Sequence, residues 1–287
     1  MNNILVTGSE GQLGSELRTI ALDFPDYNLL FTNRVNLDII DHKAVKHFIE
    51  SNKINAIINC AAYTAVDKAE SEPALADAIN HLAVANFAIL SKENNIKLIH
   101  ISSDYVFDGK RQNPYVETDT PNPQSVYGQT KLDGELAIQK INPANSIIIR
   151  TSWLYSKFGN NFVKKMIRLG KTRREISVVS DEIGTPTNAA DLAHAILKIL
   201  PRLENTSVEL FHYSNEGVCS WYDFALEIFK IREIKTVVNT VKTSEFPTIV
   251  KRPTYSVLDK AKIKTFFDLT IPTWKDSLIF TSKTIEI

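Results

Sequence analysis

Residues 4–14 read ILVTGSEGQLG, and the pattern of a helix begins within this stretch. Residues 4–7 form a short apolar run that ends in a β-branched pair, which favours a buried strand. Gly8, Gly11 and Gly14 follow it, and the helical pattern continues after them. A strand that turns through glycines directly into a helix predicts the first unit of an α/β fold.

The same alternation extends outward through the first half of the chain. Further apolar runs lie at 29–32, 56–59, 97–102 and 146–150, with helical patterns at about 12 onward, 42–52, 73–94 and 126–140. Strands that are apolar on both faces and joined by helices indicate a parallel sheet covered on both sides. The sequence therefore predicts a Rossmann-like, doubly wound parallel sheet.

Composition limits the classes of partner. The 287 residues include 33 basic and 33 acidic side chains, so the net charge is zero and no overall field attracts nucleic acid or a membrane surface. No apolar run approaches the roughly 18 residues that span a bilayer, and no secretion signal precedes the first strand. Cys60 and Cys219 lack disulfide or metal-ligand spacing, as expected in a reducing compartment. We expect a cytoplasmic protein.

The glycine-rich turn predicts a nucleotide site. Glycines let the backbone approach a pyrophosphate closely, and the helix N-terminus offers free N–H groups and the positive end of its dipole. The spacing G-x-x-G-x-x-G differs from the fingerprint of many dehydrogenases. The alternative is a strand-to-helix turn without a ligand, but the strand-turn-helix context favours a dinucleotide held by Gly8, Gly11 and Gly14.

This site predicts a division of the chain. We expect a dinucleotide-binding domain over residues 1–150. After Arg150 the elements are shorter, with helical patterns at 159–170, 189–200, 220–231 and 259–267 and a strand at 176–179. Residues 151–287 are therefore expected to form mainly a smaller α/β substrate-binding lobe, of which the part at about 185–200 packs back on the first domain.

Two further segments should contact the dinucleotide. Arg34 follows the second strand where an acidic residue would bind the ribose 2′-hydroxyl, so it favours NADPH, or acceptance of both NADPH and NADH; an exposed loop arginine is the alternative. Asp38 would reach the adenine or cap the next helix. After the third strand, small Ala61 and Ala62 leave room for a cofactor at the sheet edge.

A candidate catalytic set follows the fourth strand. Tyr127 and Lys131 are four residues apart in a helical pattern and therefore share one face. A free tyrosine has a pKa of about 10, and a nearby ammonium would make it a better acid–base group at neutral pH. Ser103 ends the fourth strand and should reach the same edge. A hydroxyl, a phenol and an ammonium around one point would stabilise a developing alkoxide.

These segments resemble a known family, the extended short-chain dehydrogenase/reductases and, within them, the dTDP-4-dehydrorhamnose reductases. The resemblance covers nearly the whole chain, in order, through VTGSEGQLG, NCAAYTAVDKAE, ISSDYVFDG, YGQTKLDGE, RTSWLY, GNNFVKKMI and KRPTYSVLD. It implies reduction of a dTDP-linked 4-keto-6-deoxyhexose, dTDP-4-dehydro-L-rhamnose, to dTDP-L-rhamnose.

The resemblance also implies roles for individual residues. Tyr127 and Lys131 match the catalytic pair, which also contacts the cofactor, and Ser103 stands where the family often has threonine. The remaining matches are cofactor positions Gly11, Gln12, Leu13, Asp38, Ala61, Ala62 and Tyr63, and substrate positions Asp104 and Trp153. We also expect Asn161, Lys164, Lys165 and Arg252 near the diphosphate or base. Some members pair as homodimers through Mg²⁺; Glu16 matches one carboxylate of that arrangement, and its companions are not identified.

Other functions remain open on the sequence. Related sugar dehydratases have an Asp-Glu pair after the hydroxyl residue, but Tyr105 follows Asp104, which disfavours dehydration. A reductase or an epimerase for another 4-keto nucleotide sugar would need only a different pocket. A non-catalytic reductase-like binding subunit is a further alternative, since folds of this kind are also used without catalysis.

Overall fold

The computed structural model describes residues 2–246 and 248–285. In chain order the strands are β1 (Asn2–Thr7), β2 (Tyr27–Phe31), β3 (Ala56–Asn59), β4 (Lys97–Ser103), β5 (Ser146–Thr151), β6 (Leu154–Tyr155), β7 (Glu175–Val179), β8 (Ile183–Gly184), β9 (Thr187–Asn188), β10 (Glu209–Tyr213), β11 (Cys219–Ser220) and β12 (Val237–Val241). The helices are α1 (Gln12–Ile20), α2 (His42–Ser51), α3 (Val66–Ala69), α4 (Pro73–Asp77), α5 (Ala83–Asn94), α6 (Val126–Ile141), α7 (Phe162–Thr172), α8 (Ala189–Ile199), α9 (Trp221–Ile231), α10 (Ala261–Phe267) and α11 (Trp274–Thr284).

Six strands form a central sheet in the order β10-β5-β4-β3-β1-β2. Each neighbouring pair is parallel. The chain winds from β1 to β2 on one side and then to β3 on the other, so the direction of winding reverses beside β1. The predicted doubly wound sheet is confirmed, and such a reversal leaves a crevice at the carboxyl ends of the strands.

Both faces of this sheet are buried, because alternate residues of each strand point to opposite sides. On β1, Ile4 and Val6 join a core with Leu17 of α1 and Leu192 of α8, whereas Leu5 joins the other core. That second core is completed by apolar residues of α2, α5 and α6, which include Val45, Phe87 and Ile138. This arrangement explains the continuous apolar runs in the sequence.

A further apolar cluster lies beyond β5. It unites α7, α9 and α11 with β7 through buried Met166, Ile176, Phe224 and Leu278. Strands β7 and β12 pair in parallel as a separate small sheet. Residues of the central sheet's own core also come from this half, because β10 extends the sheet and α8 packs on α1. The division into two lobes at residue 150 stays a prediction.

Several elements differ from the sequence-based expectation. Strand β10, strand β12 and helix α11 were not predicted. The helix predicted at 73–94 is continuous but changes its winding, because residues 78–82 form a π-helical segment between α4 and α5. Such segments are frequent at functional sites. Strand β2 begins at Tyr27, two residues before its predicted start.

The stretch Pro73–Asn94 is long and apolar enough to cross a membrane by length and composition alone. Half of its most apolar window is buried within the protein. Phe87 and Ala88 are fully buried and pack in the core beneath the sheet. The apolar character of this helix is therefore accounted for by its place in the core.

Candidate active site

A cleft of about 870 Å³ opens at the carboxyl edge of the central sheet. Its walls come from the turns that follow β1, β2, β3, β4 and β5, together with the first turns of α6. Most of the predicted site residues line it: Gly8, Gly11, Gln12, Leu13, Arg34, Asp38, Ala61, Ala62, Tyr63, Ser103, Asp104, Tyr127, Lys131 and Trp153. One crevice thus brings together the proposed nucleotide and catalytic residues.

The glycine-rich turn forms a cradle in which side chains have no room. Gly8 has φ of +64°, and a Cβ there would lie 2.7 Å from the backbone nitrogen of Ala61. A Cβ on Gly14 would lie 2.4 Å from the carbonyl oxygen of Gly8, so Gly14 serves helix packing and does not line the cleft. Helix α1 begins at Gln12 without a side-chain cap and without an acidic residue in its first turn. These features suit a bound phosphate.

Arg34 and Asp38 lie together on the wall that follows β2. The Arg34 side chain is 74% exposed, and its Nε is 3.7 Å from a carboxylate oxygen of Asp38. Asp38 accepts a hydrogen bond from the backbone of Ile40, and the cap of α2 is Asp41. The expectation that Asp38 caps this helix is therefore wrong. An exposed, weakly held arginine at this edge is free to turn toward a phosphate.

The turn after β3 is held in place by a residue that the sequence did not single out. Asn80, in the π-helical segment, accepts from the backbone N–H of Tyr63 at 2.9 Å and donates to its carbonyl oxygen at 3.1 Å. Its amide also donates to Thr130 of α6. Asn80 is fully buried. This side chain therefore connects the turn at 61–63 to the helix that carries Tyr127 and Lys131.

Helix α6 carries the predicted catalytic pair. Ser125 caps the helix by accepting from the N–H of Gly128 at 3.0 Å, and Tyr127 and Lys131 follow one turn apart on the buried side. Ser103 ends β4, and its hydroxyl interacts with that of Tyr127. The Ser103 hydroxyl also donates to Asp104 at 3.0 Å. The predicted hydroxyl and phenol are therefore in contact, and Lys131 lines the same cleft.

The protonation of this pair is governed mainly by burial. Burial raises the pKa of Tyr127 to about 12, although the Ser103 hydroxyl opposes this. Burial lowers the pKa of Lys131 to about 8, against the raising effect of Glu135. The expected lowering of the tyrosine pKa by Lys131 is therefore not found in the protein alone. At pH 7 Tyr127 is a protonated donor, and Lys131, with its pKa of about 8, is mostly in the ammonium form.

Asp104 is a buried carboxyl group on the cleft wall. Burial raises its pKa to about 6, while the hydroxyls of Ser103 and Ser256 and the N–H of Tyr105 favour the ionised form. The ring of Tyr105 meets that of Tyr127 edge to face, with centroids 5.4 Å apart. Perturbed carboxyls in clefts mark functional sites more often than chance would give.

Trp153 is held in an unusual backbone conformation at the far end of the cleft. Its φ is 46°, which is rare for a bulky residue. The ring stacks on Trp221 with centroids 3.5 Å apart, and it lies over Gly184, where a Cβ would be 2.5 Å from the indole. Helix α9 and strand β8 thus hold the Trp153 ring in place. Backbone strain from a positive φ is concentrated at functional sites.

A buried ion pair lies beneath the catalytic residues. The Glu135 carboxylate accepts from Arg150 at 2.6 and 2.9 Å and from the hydroxyl of Ser102 at 2.5 Å. Both charged side chains are at most 2% exposed. Glu135 follows Lys131 by four residues on the same face of α6. The spacing that identified Tyr127 and Lys131 could have found Glu135 as well.

Some predicted residues do not line the cleft in the described part of the chain. Asn161 caps α7 and donates to the side chain of Gln12 at 2.9 Å, so it positions a cleft residue. Lys164 and Lys165 lie on α7 outside the cleft, and Arg252 pairs with Asp67. The remaining prediction, Glu16, is buried and accepts from Ser156 at 2.6 Å.

Comparison with known proteins agrees with the geometry. A family model described as the RmlD substrate binding domain matches residues 1–286. A dTDP-4-dehydrorhamnose reductase of Aggregatibacter actinomycetemcomitans is 40% identical over 287 residues, covering 97% of each chain. A dTDP-4-dehydrorhamnose reductase structure from Clostridium acetobutylicum has a TM-score of 0.92 and 42% identity, over 99% of this chain and 100% of that one. The Bacillus anthracis dTDP-4-dehydrorhamnose reductase, solved with NADP, has a TM-score of 0.93 and 40% identity, with the same coverage.

Proposed function

This chain belongs to the RmlD substrate binding domain family, and we propose that it reduces dTDP-4-dehydro-L-rhamnose to dTDP-L-rhamnose with NADPH or NADH. The convergence of Ser103, Tyr127 and Lys131 on the cleft that begins at the glycine-rich turn carries the proposal. Its relatives of similar length that bear the reductase name support the substrate, a dTDP-linked 4-keto-6-deoxyhexose.

The cleft fits a nicotinamide dinucleotide. Gly8 and Gly11 leave the backbone open, and the uncapped N-terminus of α1 faces the same space through Gln12 and Leu13. When bound, the reduced nicotinamide supplies the hydride that is added to C4 of the sugar. Ala61, Ala62 and Tyr63 would lie along the cofactor on the opposite wall.

Tyr127 donates the proton that the reduced carbonyl requires. As a hydride adds to C4, the carbonyl π electrons would move onto O4. The phenolic proton then moves to O4, which gives the alcohol and leaves a phenolate on Tyr127. The single O–H of Ser103 turns from Asp104 to the same oxygen and stabilises its charge before the proton arrives. Because the pKa of Tyr127 is about 12, this donor is almost fully protonated at neutral pH.

Lys131 supports the tyrosine from the inner side of the cleft. Its ammonium donates to the carbonyl oxygen of Ile101 at 2.7 Å, which holds the charge near the site. A positive charge there stabilises the phenolate left behind by proton transfer. The N–H of Lys131 that faces the cleft can also orient a ribose. Removal of the charge should therefore lower turnover strongly and change the free energy of unfolding little.

The sugar and its nucleotide extend toward the second half of the chain. Trp153 offers a flat apolar face on which a sugar ring can pack, and Asp104 offers a carboxylate to its hydroxyl groups. Arg34 at the other end supports acceptance of the 2′-phosphate of NADPH. The NADP complex of the Bacillus anthracis relative agrees with this choice.

The alternative functions make different predictions. Tyr105 stands where dehydratases place the second carboxylate of their acid pair, so dehydration remains disfavoured. An epimerase would retain its cofactor tightly through purification, whereas a reductase exchanges it in each turnover. A non-catalytic binding subunit would show no turnover with any nucleotide sugar, and a reductase for another 4-keto sugar would show turnover with that sugar only.

Pairing through Mg²⁺, a cytoplasmic location and a homodimer remain predictions. Glu16 lines a second, smaller cleft with Asp191, but Ser156 engages Glu16, and Asn215 and Ser277 engage Asp191. Among the described residues, Glu16 is not part of any group of three His, Cys, Asp or Glu side chains close enough to share an ion. The described residues around Glu16 therefore do not form a complete magnesium site within one chain, and no step depends on one.

A direct assay tests the proposal. Purified protein is mixed with dTDP-4-dehydro-L-rhamnose and NADPH, and separately with NADH, and the loss of reduced-nicotinamide absorbance is followed. Turnover should fall at least about 100-fold in the Tyr127→Phe variant, because the proton donor is lost while the ring is kept. Absence of wild-type turnover despite cofactor binding would exclude this substrate.

A further inference from the structure

A row of buried polar side chains crosses the sheet below Lys131. Thr7 of β1, Asn59 of β3 and His100 of β4 are register partners on adjacent strands. The Thr7 hydroxyl donates to Asn59 Oδ1 at 2.6 Å, and Asn59 Nδ2 is 3.0 Å from His100 Nδ1. The row ends at Lys131, whose Nζ is 3.3 Å from His100 Nε2. The three strand residues are at most 1% exposed.

This row accounts for part of the hydrogen bonding of Lys131. An ammonium group has three N–H donors. One is taken by the carbonyl oxygen of Ile101 at 2.7 Å, and a second points at His100 Nε2. The two contacts come from consecutive residues of β4. They leave one N–H of the ammonium for the cleft, where Tyr127 lies. The two contacts therefore direct this N–H into the cleft.

The imidazole can serve both protonation states of Lys131. Burial and Lys131 lower the pKa of His100 well below its ordinary value, so the ring is neutral and carries one N–H. With the amide nitrogen of Asn59 toward Nδ1, the ring proton is on Nε2 and can be accepted by a neutral lysine amine. If Asn59 turns its amide over, the Thr7 hydroxyl accepts from the amide nitrogen instead of donating to the amide oxygen. The oxygen then accepts a proton on Nδ1, and Nε2 accepts from the ammonium.

We propose that His100 is a positioning residue for Lys131, whose ammonium donates to Nε2 when Asn59 turns its amide oxygen toward Nδ1. The inference rests on the proposed function, because Lys131 has a catalytic task only if Tyr127 does. It explains why a polar row crosses the interior of a sheet in which the neighbouring Ile58 and Ile99 are apolar.

Other charges near the pair are already engaged. From α6, Glu135 faces Lys131 and raises its pKa, and from β5, Arg150 pairs with Glu135. Tyr127, also on α6, faces the cleft with Asp104. The ring of His100 and the carbonyl oxygen of Ile101 are therefore the uncharged contacts of Lys131. Loss of the ring can be separated from changes in the surrounding charges.

Two substitutions at one position distinguish positioning from packing. In the His100→Gln variant the longer amide keeps a polar atom near the place of Nε2, whereas in His100→Asn the shorter amide reaches only the place of Nδ1. We expect kcat to fall about tenfold or more for His100→Asn and within about threefold for His100→Gln, since one charge-assisted hydrogen bond separates them. The KM for the sugar should be nearly unchanged in both.

A matched control and an activity-independent readout accompany the kinetics. His212 on β10 is equally buried and bonded to the backbone of Tyr115, but it has no contact with Lys131, so His212→Asn should keep the wild-type kcat in the folded fraction. NMR of ¹³C-lysine-labelled, cofactor-free protein, assigned with Lys131→Met, follows the titration of Lys131. Its pKa should be lower in His100→Asn than in the wild type, because an acceptor of the ammonium is lost, and intermediate in His100→Gln.

Each outcome decides the inference. Equal losses of kcat in His100→Gln and His100→Asn, or no loss in either, would overturn it, as would a His212→Asn variant with the same loss. If the wild type does not turn over the sugar, the proposed function fails, and the NMR titration still decides whether His100 holds Lys131. An unchanged lysine pKa in His100→Asn would then refute the contact.

Discussion

Replacement of Asp104 by asparagine should make the protein more stable and less active. The folded protein raises the pKa of this carboxyl to about 6 from its ordinary value of 3.8. Above pH 6 the charged group is buried, so it opposes folding. Between these two pKa values the folded state binds more protons than the unfolded state, and the free energy of unfolding therefore decreases as the pH rises.

The size of the effect follows from the shift. A difference of about two pKa units corresponds to about 3 kcal/mol at pH 7.5, where the group is ionised in both states. At pH 4.5 the same shift lowers the free energy of unfolding by only about 1 kcal/mol, because the carboxyl is then protonated in the folded state and mostly ionised in the unfolded state. The amide that replaces the carboxyl would keep an oxygen that can accept from Ser103. The Asp104→Asn variant should thus gain up to about 3 kcal/mol at pH 7.5 and about 1 kcal/mol at pH 4.5.

Urea unfolding of wild type and Asp104→Asn at the two pH values measures this difference. The exposed residue Asp23 provides the control, because Asp23→Asn should change stability by less than about 0.5 kcal/mol at either pH. Turnover should fall about tenfold, since the carboxylate proposed to contact the sugar is lost. The reasoning is refuted if Asp104→Asn is less stable than the wild type at pH 7.5, or if its gain is the same at both pH values.

Three other changes test the arrangement around the cleft. Glu135→Gln should lower the free energy of unfolding by about 3–5 kcal/mol, because it leaves Arg150 buried without its counter-charge; urea unfolding measures this, and a loss below about 1 kcal/mol would contradict it. Gly14→Ala should weaken NADPH binding, because its Cβ would displace Gly8, and fluorescence titration with unchanged affinity would disprove that. Arg34→Ala should raise the KM for NADPH about tenfold and leave that for NADH within about twofold, so equal changes in both would count against a 2′-phosphate contact.

The sequence was sufficient for the parts of the fold that repeat a local pattern. The stretch at 4–14 identifies β1, the turn and α1, since apolar runs and glycines act over a few residues. Strand β10 was missed because its short run, Glu209–Tyr213, follows β5 by a long segment and joins it only through tertiary pairing. The π-helical winding at 78–82 adds about one residue to a single turn, and this local change is too short for a pattern of 3.6-residue periodicity to indicate it.

The sequence predicted the reactive residues of the candidate site but not the buried residues that hold them in place. Ser103, Tyr127 and Lys131 could be placed together because strand ends and helix faces follow simple geometry. Asn80 could not, because its importance comes from a partner 17 residues away in sequence, on a different element. The same holds for His100, which meets Lys131 across 31 residues. Polar residues that pair over a long separation in sequence form no periodic pattern from which the pair could be predicted.

The spacing on α6 nevertheless contains more than the catalytic pair. Tyr127, Lys131 and Glu135 recur every four residues, and all three are buried. Buried charges in a helix need partners on the surface that the helix covers, because isolated ones cost several kcal/mol. On β4, period-two alternation places His100 and Ser102 on one face and Ile99 and Ile101 on the other. A stripe of buried polar residues on the helix therefore requires a stripe of polar residues on the strand beneath it. Either pattern, found in the sequence, predicts the other.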